Sequence, residues 1–477
     1  MQQAKLMFNK KILLIFLFAF LIRLIALNQS LWLDEAITAS VVKNFSFFQI
    51  ISKFSPTDFH PPLYYLFMKL WTNLFGYSEI ALRMPSVIFS LLTGYVIYRI
   101  SKLLVPRSLG EVGWSAIFFL FNPLIIYYSQ EARMYMMATF FLTAALYFFI
   151  RLCHTEFISG SRNRFGMTKI KSLVLLNLFF TLAFFTFYGS ALLIGTVILY
   201  FFIKKDYKIF ILNTLYFILI SLLISPLLYQ QLINSKIALN QVGNWVAVLG
   251  KANIKNLLLI PIKFSIGRIS FYPKWLYWGI AGGWTGFIIY QILKSKNLVY
   301  LLAYLLIFPL FLGFLVSFFT PMLQYFRFLY LIPIMSLLLG FSLSGRPAYN
   351  RGGYALVGGF LIFSLAYLLL PQFHREDWKG LVVNLPKDQP VYMITASSEP
   401  VLYYSKNSIR VNELTLLRPQ GYGGQASLPK QITVIPFSAG VYGLDYKKLL
   451  SKAGYKLKKE VSFREVTYEQ WEVFYTP

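Results

Sequence analysis

The sequence predicts a polytopic α-helical membrane protein of about eleven transmembrane helices with a small C-terminal α/β extracytoplasmic domain. Three observations carry this. Of 477 residues, 57% are hydrophobic and only 13% are charged, where a soluble domain carries roughly 25% charge. Apolar runs of spanning length recur between residues 11 and 370. Beyond residue 370 the chain turns polar, with Pro, Gly and Ser between short alternating stretches. In a soluble protein the formal net charge of +27 would suggest nucleic acid. Here most cations fall in short connections between spans, where they set topology, and no zinc-ligand spacing or RNA-binding sheet signature accompanies them, so no nucleic-acid partner is expected. Cys153 is the one cysteine, which excludes an internal disulfide and a cysteine metal site.

The elements follow in order. The first span covers 11–27, with Lys5, Lys10 and Lys11 on its inner side. No small-residue cleavage site precedes Trp32, so it reads as an uncleaved helix. Residues 28–80 form an outer loop with two amphipathic pieces: 41–54 along the interface, and 62–75, too short to span, as an interfacial or re-entrant helix. Spans at 81–99, 112–127 and 134–151 lead to a hairpin of 172–187 and 189–203, then to a span at 209–226 that ends near Pro226. An outer loop is expected at 227–274. It carries Lys236, Lys251, Lys255, Lys263, Arg268 and Lys274 and no acid, against the positive-inside trend. Either the topology fails there or these cations serve an anionic ligand. Four more spans follow at 275–293, 299–319, 326–344 and 353–370. The inner loops are basic (Arg99, Lys102 and Arg107; Arg151, Arg162 and Arg164; Lys204, Lys205 and Lys208; Lys294 and Lys296; Arg346 and Arg351), with Glu111, Glu156 and Asp206 as exceptions. This puts the N-terminus in the cytoplasm and, with an odd number of spans, the C-terminal domain outside a cell membrane. Within that domain, 391–395, 431–435, 455–463 and 471–475 read as strands and 399–405 and 446–453 as helices. The domains are thus 1–370, transmembrane, with the acidic pair on its 28–80 loop, and 371–477.

Four polar clusters fall on the outer face. Asp34-Glu35 is the first acidic charge of the chain. Such a pair suits a general base that takes the proton of an attacking hydroxyl; it equally suits a solvated turn or the acidic first turn of a helix. In Asp58-Phe59-His60-Pro61-Pro62-Leu63-Tyr64-Tyr65, the prolines favour a new helical turn. His60, with Tyr64 behind it, would bind a phosphate or sugar hydroxyl, or simply cap an interfacial helix. In Tyr127-Tyr128-Ser129-Gln130-Glu131-Ala132-Arg133, Gln130 and Glu131 suit sugar hydroxyls and Arg133 a phosphate; an internal pair of Glu131 with Arg133 or Arg83 is the structural alternative. Tyr325-Phe326-Arg327 opens the tenth span, where a guanidinium suits a lipid phosphate or snorkels to headgroups. Arg23 lies deeper in the first span, where a cation needs a partner.

This order of motifs resembles the C-type (GT-C) glycosyltransferases, in particular the branch with protein O-mannosyltransferases and the aminoarabinose transferases that modify lipid A. The residues that carry it are Leu31 to Glu35, His60 to Tyr65, Gly76 to Glu79, Arg83-Met84-Pro85-Ser86, Tyr128 to Arg133 and Arg327 to Pro333. His374-Arg375-Glu376-Asp377-Trp378 looks like the start of the outer domain of some bacterial members. The resemblance implies a GT-C-like fold and transfer of a sugar from a polyprenyl-phosphate donor, by inverting single displacement, to a lipid, glycan or protein acceptor at the outer face. It implies Asp34 as the base, with Glu35 beside it. Arg327 and Arg133 would stand at the lipid phosphate, and His60, Tyr64, Gln130, Glu131 and Tyr325 at the substrates. Some relatives bind a divalent metal, so a metal is possible, though no ligand cluster stands out. The chain lacks the inserted lumenal domain of the eukaryotic protein mannosyltransferases, which weighs against a protein acceptor. The other function classes are a polytopic transporter or lipid/oligosaccharide flippase, and an assembly protein whose tail binds wall polymers. Transport would need charges along a path through the spans. The assembly role leaves the acidic pair without a task.

Overall fold

A computed structural model describes residues 10–104, 113–159, 167–242, 244–294, 299–343, 350–417 and 429–474. Lys5, Arg107, Glu111, Arg162, Arg164, Lys296 and Arg346 lie outside the described residues. Most of the rest is helix. Six helices among the described residues are long and apolar enough to cross a membrane: Glu79–Leu104, Tyr135–Cys153, Lys169–Thr186, Tyr207–Gln241, Tyr325–Ser342 and Arg351–Leu369. Tyr188–Ile203 and Tyr300–Val316 are apolar but shorter.

Breaks in this bundle follow from proline chemistry. The run expected as one span over 112–127 is two helices, Trp114–Leu120 and Pro123–Ser129. Pro123 cannot continue a preceding helix but fits the first turn of a new one, and the Asn122 carboxamide oxygen caps that turn through the Leu124 and Ile125 amides. The carbonyls freed by the break are taken up by side chains. Arg23 Nη2 donates to Leu120 O at 2.7 Å and Ser364 Oγ to Phe121 O at 3.1 Å. Arg23 also donates to Ser90 Oγ and Ala19 O, so this buried cation closes a helix end, as backbone in an apolar medium requires. Pro85 leaves the Ala81 carbonyl without an amide donor, and Trp71 Nε1 donates to it at 2.8 Å.

The expected stop at Pro226 is not a stop. The helix runs Tyr207–Gln241, 35 residues, about 52 Å at 1.5 Å per residue. Pro226 cannot bond to the Leu222 carbonyl, but Ser225 Oγ does, at 2.8 Å, on an exposed face. The expected loop over 227–274 is therefore largely helical, with Trp245–Leu249 and Ile254–Ile266 following. The stretch 41–54 is likewise divided: its first residues close the helix Leu33–Asn44, and a further turn covers 47–54. Leu63–Phe75 is the short amphipathic helix expected there.

The tail forms a mixed sheet of β1 (Val391–Met393), β2 (Val411–Glu413), β3 (Gln431–Val434), β4 (Tyr455–Phe463) and β5 (Val466–Val473), in the order β2-β1-β3-β5-β4. β1 runs parallel to β2 and β3, and β5 antiparallel to β3 and β4. Alternation sends Val391 and Met393 to one apolar layer with Trp378 and Val401. Ile432 and Val434 go to the other with Leu450 and Trp471. The three-residue β2 was not anticipated; it is too short to show a period. This unit is fastened to the bundle through residues 29–31: Tyr404 Oη accepts from Leu31 N, Ser30 Oγ from Lys379 N, and Gln29 Oε1 from Arg375 N.

Candidate active site

The polar clusters meet where several chain segments end or begin: after Lys10–Leu24, at the start of Glu79–Leu104, before Tyr135–Ser159 and after Asn350–Leu369. Trp32 caps the helix Leu33–Asn44, which places Asp34 and Glu35 in its first turn, where its dipole favours acids. The two neighbours then part.

Glu35 is fully buried. It accepts from Arg83 Nε at 2.8 Å and Nη2 at 2.6 Å, from the Ala132 amide at 2.7 Å and from the Trp32 amide at 3.4 Å. Burial alone would raise its carboxyl; the guanidinium groups of Arg83 and Arg375 and these donors bring it below the ordinary glutamate value. Arg83 is committed in turn to the carbonyls of Leu27, Gln29 and Ser30. Asp34 points the other way. Its side chain is 32% exposed, and Oδ2 lies 3.5 Å from Arg133 Nη2.

Arg133 Nη1 donates to Tyr65 Oη at 3.3 Å, and its Nε has no partner among the described residues. Beside it, His60 Nδ1 lies 3.3 Å from Asp58 Oδ1, while Asp58 Oδ2 and Tyr64 Oη are buried without partners among the described residues. Burial pushes the Asp58 carboxyl up, but His60 brings it below its ordinary value overall. Glu131 is 2% exposed and pairs through Oε2 with Arg375 Nη2 at 3.2 Å, not with Arg133 or Arg83; its Oε1 is unpartnered among the described residues. Burial holds the Glu131 carboxyl above the usual range despite Arg375.

Gln130 Nε2 donates to Arg23 O and Ile25 O at the end of the first helix, while its Oε1 is buried without a partner among the described residues. Gly267, at φ +72 and packed on Pro123, ends Ile254–Ile266 and turns Arg268 towards Tyr127, whose hydroxyl it meets at 2.6 Å. Arg327 Nη1 donates to Pro321 O at 2.9 Å. Its neighbour Phe326 packs on Tyr128 and Tyr135. Tyr325 is half-buried, its ring edge-on to Phe326.

The arrangement thus has four acids, three of them against a guanidinium (Asp34 with Arg133, Glu35 with Arg83, Glu131 with Arg375) and one against an imidazole (Asp58 with His60), and two further guanidinium groups, Arg268 and Arg327. The two guanidinium groups beyond those paired with acids suit an anionic group. Among the described residues no three His, Cys, Asp or Glu side chains converge as a metal ligand set. No step below runs through a metal ion. Arg83, Arg375, Tyr65, Asp58 and Arg268 were not singled out as site residues from the sequence. Asp58, Tyr65, Arg83 and Arg375 sat inside motifs already noted, and Arg268 among the cations that could serve an anionic ligand; that Arg375 meets acids more than two hundred residues away is what no spacing reveals.

A model of the dolichyl-phosphate-mannose-protein mannosyltransferase family matches residues 59–229. No curated protein matches the chain. Among solved structures, the chain is similar to ArnT from Cupriavidus metallidurans in the apo state, with 11% identity and a TM-score of 0.56 over 97% of this chain and 98% of that one. It is similar to ArnT bound to undecaprenyl phosphate, with 11% identity and a TM-score of 0.54 over the same shares. A third similarity is to the archaeal oligosaccharyltransferase AglB from Archaeoglobus fulgidus, in complex with an inhibitory peptide and a dolichol-phosphate, with 11% identity and a TM-score of 0.51 over 83% of this chain and 64% of that one. At these identities the likeness to solved structures is one of fold. Together with the family match it bears out the resemblance to C-type glycosyltransferases drawn from the motifs.

Proposed function

We propose that this chain is an integral-membrane glycosyltransferase that moves a sugar from a polyprenyl-phosphate-linked donor to an acceptor hydroxyl at the outer face of the cell membrane. One observation carries the assignment of the chemistry: Asp34 is the one acid of the cluster that is substantially exposed, and it stands against a buried guanidinium, Arg133. In this reading Asp34 takes the acceptor hydroxyl proton as that oxygen attacks the anomeric carbon. The bond from that carbon to the phosphate oxygen breaks, and the polyprenyl phosphate leaves with the electron pair, so a single displacement inverts the anomeric centre. Arg268 and Arg327 hold the phosphate charge as it grows. Asp58 with His60, Tyr64 and Glu131 offer their unpartnered polar atoms to sugar hydroxyls. Tyr325 lines the donor side. Glu35 takes a positioning role in place of the base role expected beside Asp34, because it is saturated by donors, while Gln130 holds a helix end through Nε2 and keeps Oε1 for a sugar hydroxyl.

The topology proposed with this is eleven crossings, with 1–370 as catalytic transmembrane domain and 371–477 as extracytoplasmic domain. The basic inner loops support it. The solved structures of similar fold were captured with undecaprenyl phosphate in one case and with dolichol-phosphate and an inhibitory peptide in another. That agrees with a polyprenyl-phosphate partner here and leaves lipid, glycan and protein as acceptor classes. Transport is the weaker reading. Within the bundle, the described buried charges other than Arg23 belong to this cluster, and Arg23 is spent on two carbonyls and the Ser90 hydroxyl.

The test is transfer of labelled sugar by purified protein from a panel of polyprenyl-phosphate sugars in the presence of a membrane extract, with the anomeric configuration of the product read by NMR. An inverted product from one donor is expected. Net retention would refute the single displacement, and lipid translocation without transfer would refute the enzyme.

A further inference from the structure

Arg375 comes from the C-terminal unit, yet its side chain lies inside the bundle's charge cluster and is 3% exposed. Nη2 lies 3.2 Å from Glu131 Oε2, and Nε lies 4.0 Å from Glu35 Oε2 with no hydrogen-bond partner among the described residues. The guanidinium lies 4.4 Å from the Tyr127 ring centroid, and the hydroxyl of that same tyrosine is held by Arg268. The Arg375 main chain is gripped from both sides: its amide donates to Gln29 Oε1 at 3.2 Å, and its carbonyl accepts from Arg464 Nε, on the β4–β5 turn, at 2.6 Å. One side chain therefore bridges the acid that anchors the first turn of the Asp34 helix and the segment 131–133 that carries Arg133.

We infer that Arg375 is a positioning residue for the transfer reaction. Through Glu35 and Glu131 it sets the register between Asp34 and Arg133, so the C-terminal unit is a working part of the active centre. This rests on the glycosyltransferase reading. The geometry supports it in a second way. Without Arg375, Glu35 and Glu131 would share a buried site with Arg83 alone as close partner, and one acid would be left uncompensated. Two buried acids with one cation repel and move apart. The Ala132 amide bonded to Glu35 would move with them and carry Arg133 away from Asp34.

The test compares wild type, Arg375→Ala and Tyr403→Phe as full-length protein in detergent. Tyr403 donates to Tyr77 O at 2.7 Å and fastens the same unit without touching the acids. Arg375→Ala should lose about 100-fold in kcat, the scale of an ångström's misplacement, with KM for the donor within twofold. Guanidinium ion at millimolar concentration should restore part of that kcat. Tyr403→Phe should lower the melting temperature and leave kcat unchanged. A kcat loss that merely follows the folded fraction in both variants, or a KM change at constant kcat, would overturn the inference. The glycosyltransferase reading is judged separately. If wild type transfers no sugar, that reading fails and the positioning role fails with it. The thermal double-mutant cycle of Arg375→Ala with Glu131→Gln, which needs no substrate, then tells whether the bridge joins the two parts of the fold.

Discussion

Replacing Glu35 by glutamine separates two neighbouring carboxylates by the work each does. Glu35 accepts two bonds from Arg83 and one each from the Ala132 and Trp32 amides, at zero exposure. Glutamine keeps the shape but removes the charge, leaving the Arg83 guanidinium buried among three carbonyls with no close carboxylate. Removing one member of a buried pair costs roughly 3–5 kcal/mol. The glutamine carbonyl can keep the Ala132 bond, so the lower end, about 3 kcal/mol, applies. That is a factor of about 150 in the folded-to-unfolded ratio. In a detergent thermal melt followed by tryptophan fluorescence, the midpoint should fall by about 3 °C. Unfolding from micelles is commonly irreversible, so the half-life at one fixed temperature should be read alongside and should shorten in step. Asp34→Asn is the control. Its pair with Arg133 spans 3.5 Å and is 32% exposed on the acid side, worth under about 1 kcal/mol, so its melt should stay within about 1 °C of wild type. If Glu35→Gln melts with wild type, or the two variants melt alike, the division of labour between these residues is wrong.

Three further outcomes follow from the same geometry. Arg327→Gln should raise the donor KM by about 10-fold or more at little cost in stability, because the guanidinium makes one hydrogen bond, to Pro321 O; an unchanged KM would remove Arg327 from the phosphate site. Arg23→Met should lower the melting midpoint by roughly a degree or more, since the Leu120 carbonyl loses its donor in an apolar setting; a wild-type melt would mean that the broken helix does not need this cation. For pH, Glu35 is held below the ordinary value, so its stabilisation is complete above the unfolded carboxyl value near 4.3 and is lost as pH falls through the folded one. The melting gap between wild type and Glu35→Gln should be constant from about pH 8 to 5 and should close below about pH 4; a gap undiminished at pH 3 would contradict this.

The membrane class and the segments that meet at the site were legible because apolar period and motif order are local signals. The tail helix Glu399–Ser405 and strand Tyr455–Phe463 were read from alternation and turn residues and lie where expected. What escaped is non-local. Pro226 reads as a stop, and only the Ser225 bond to Leu222 shows why the helix passes through it. Asp34 and Glu35 are equivalent as letters. Their opposite fates depend on Arg83, some fifty residues on, and on an amide at Ala132. Glu131 was given Arg133 or Arg83 as possible partners, whereas its cation arrives from the polar tail. Spacing predicts which face of an element a residue occupies; it does not say which distant element covers that face.

The central claim is that Asp34 is the base of a sugar transfer from a polyprenyl-phosphate donor. The most direct measurement is the transfer rate of purified wild type and Asp34→Asn side by side, with donor binding measured on both. The account predicts a kcat lower by about 10³-fold in the variant, within the range for loss of a general base, with donor affinity within twofold and an unchanged melt. Transfer by Asp34→Asn at the wild-type rate would contradict it.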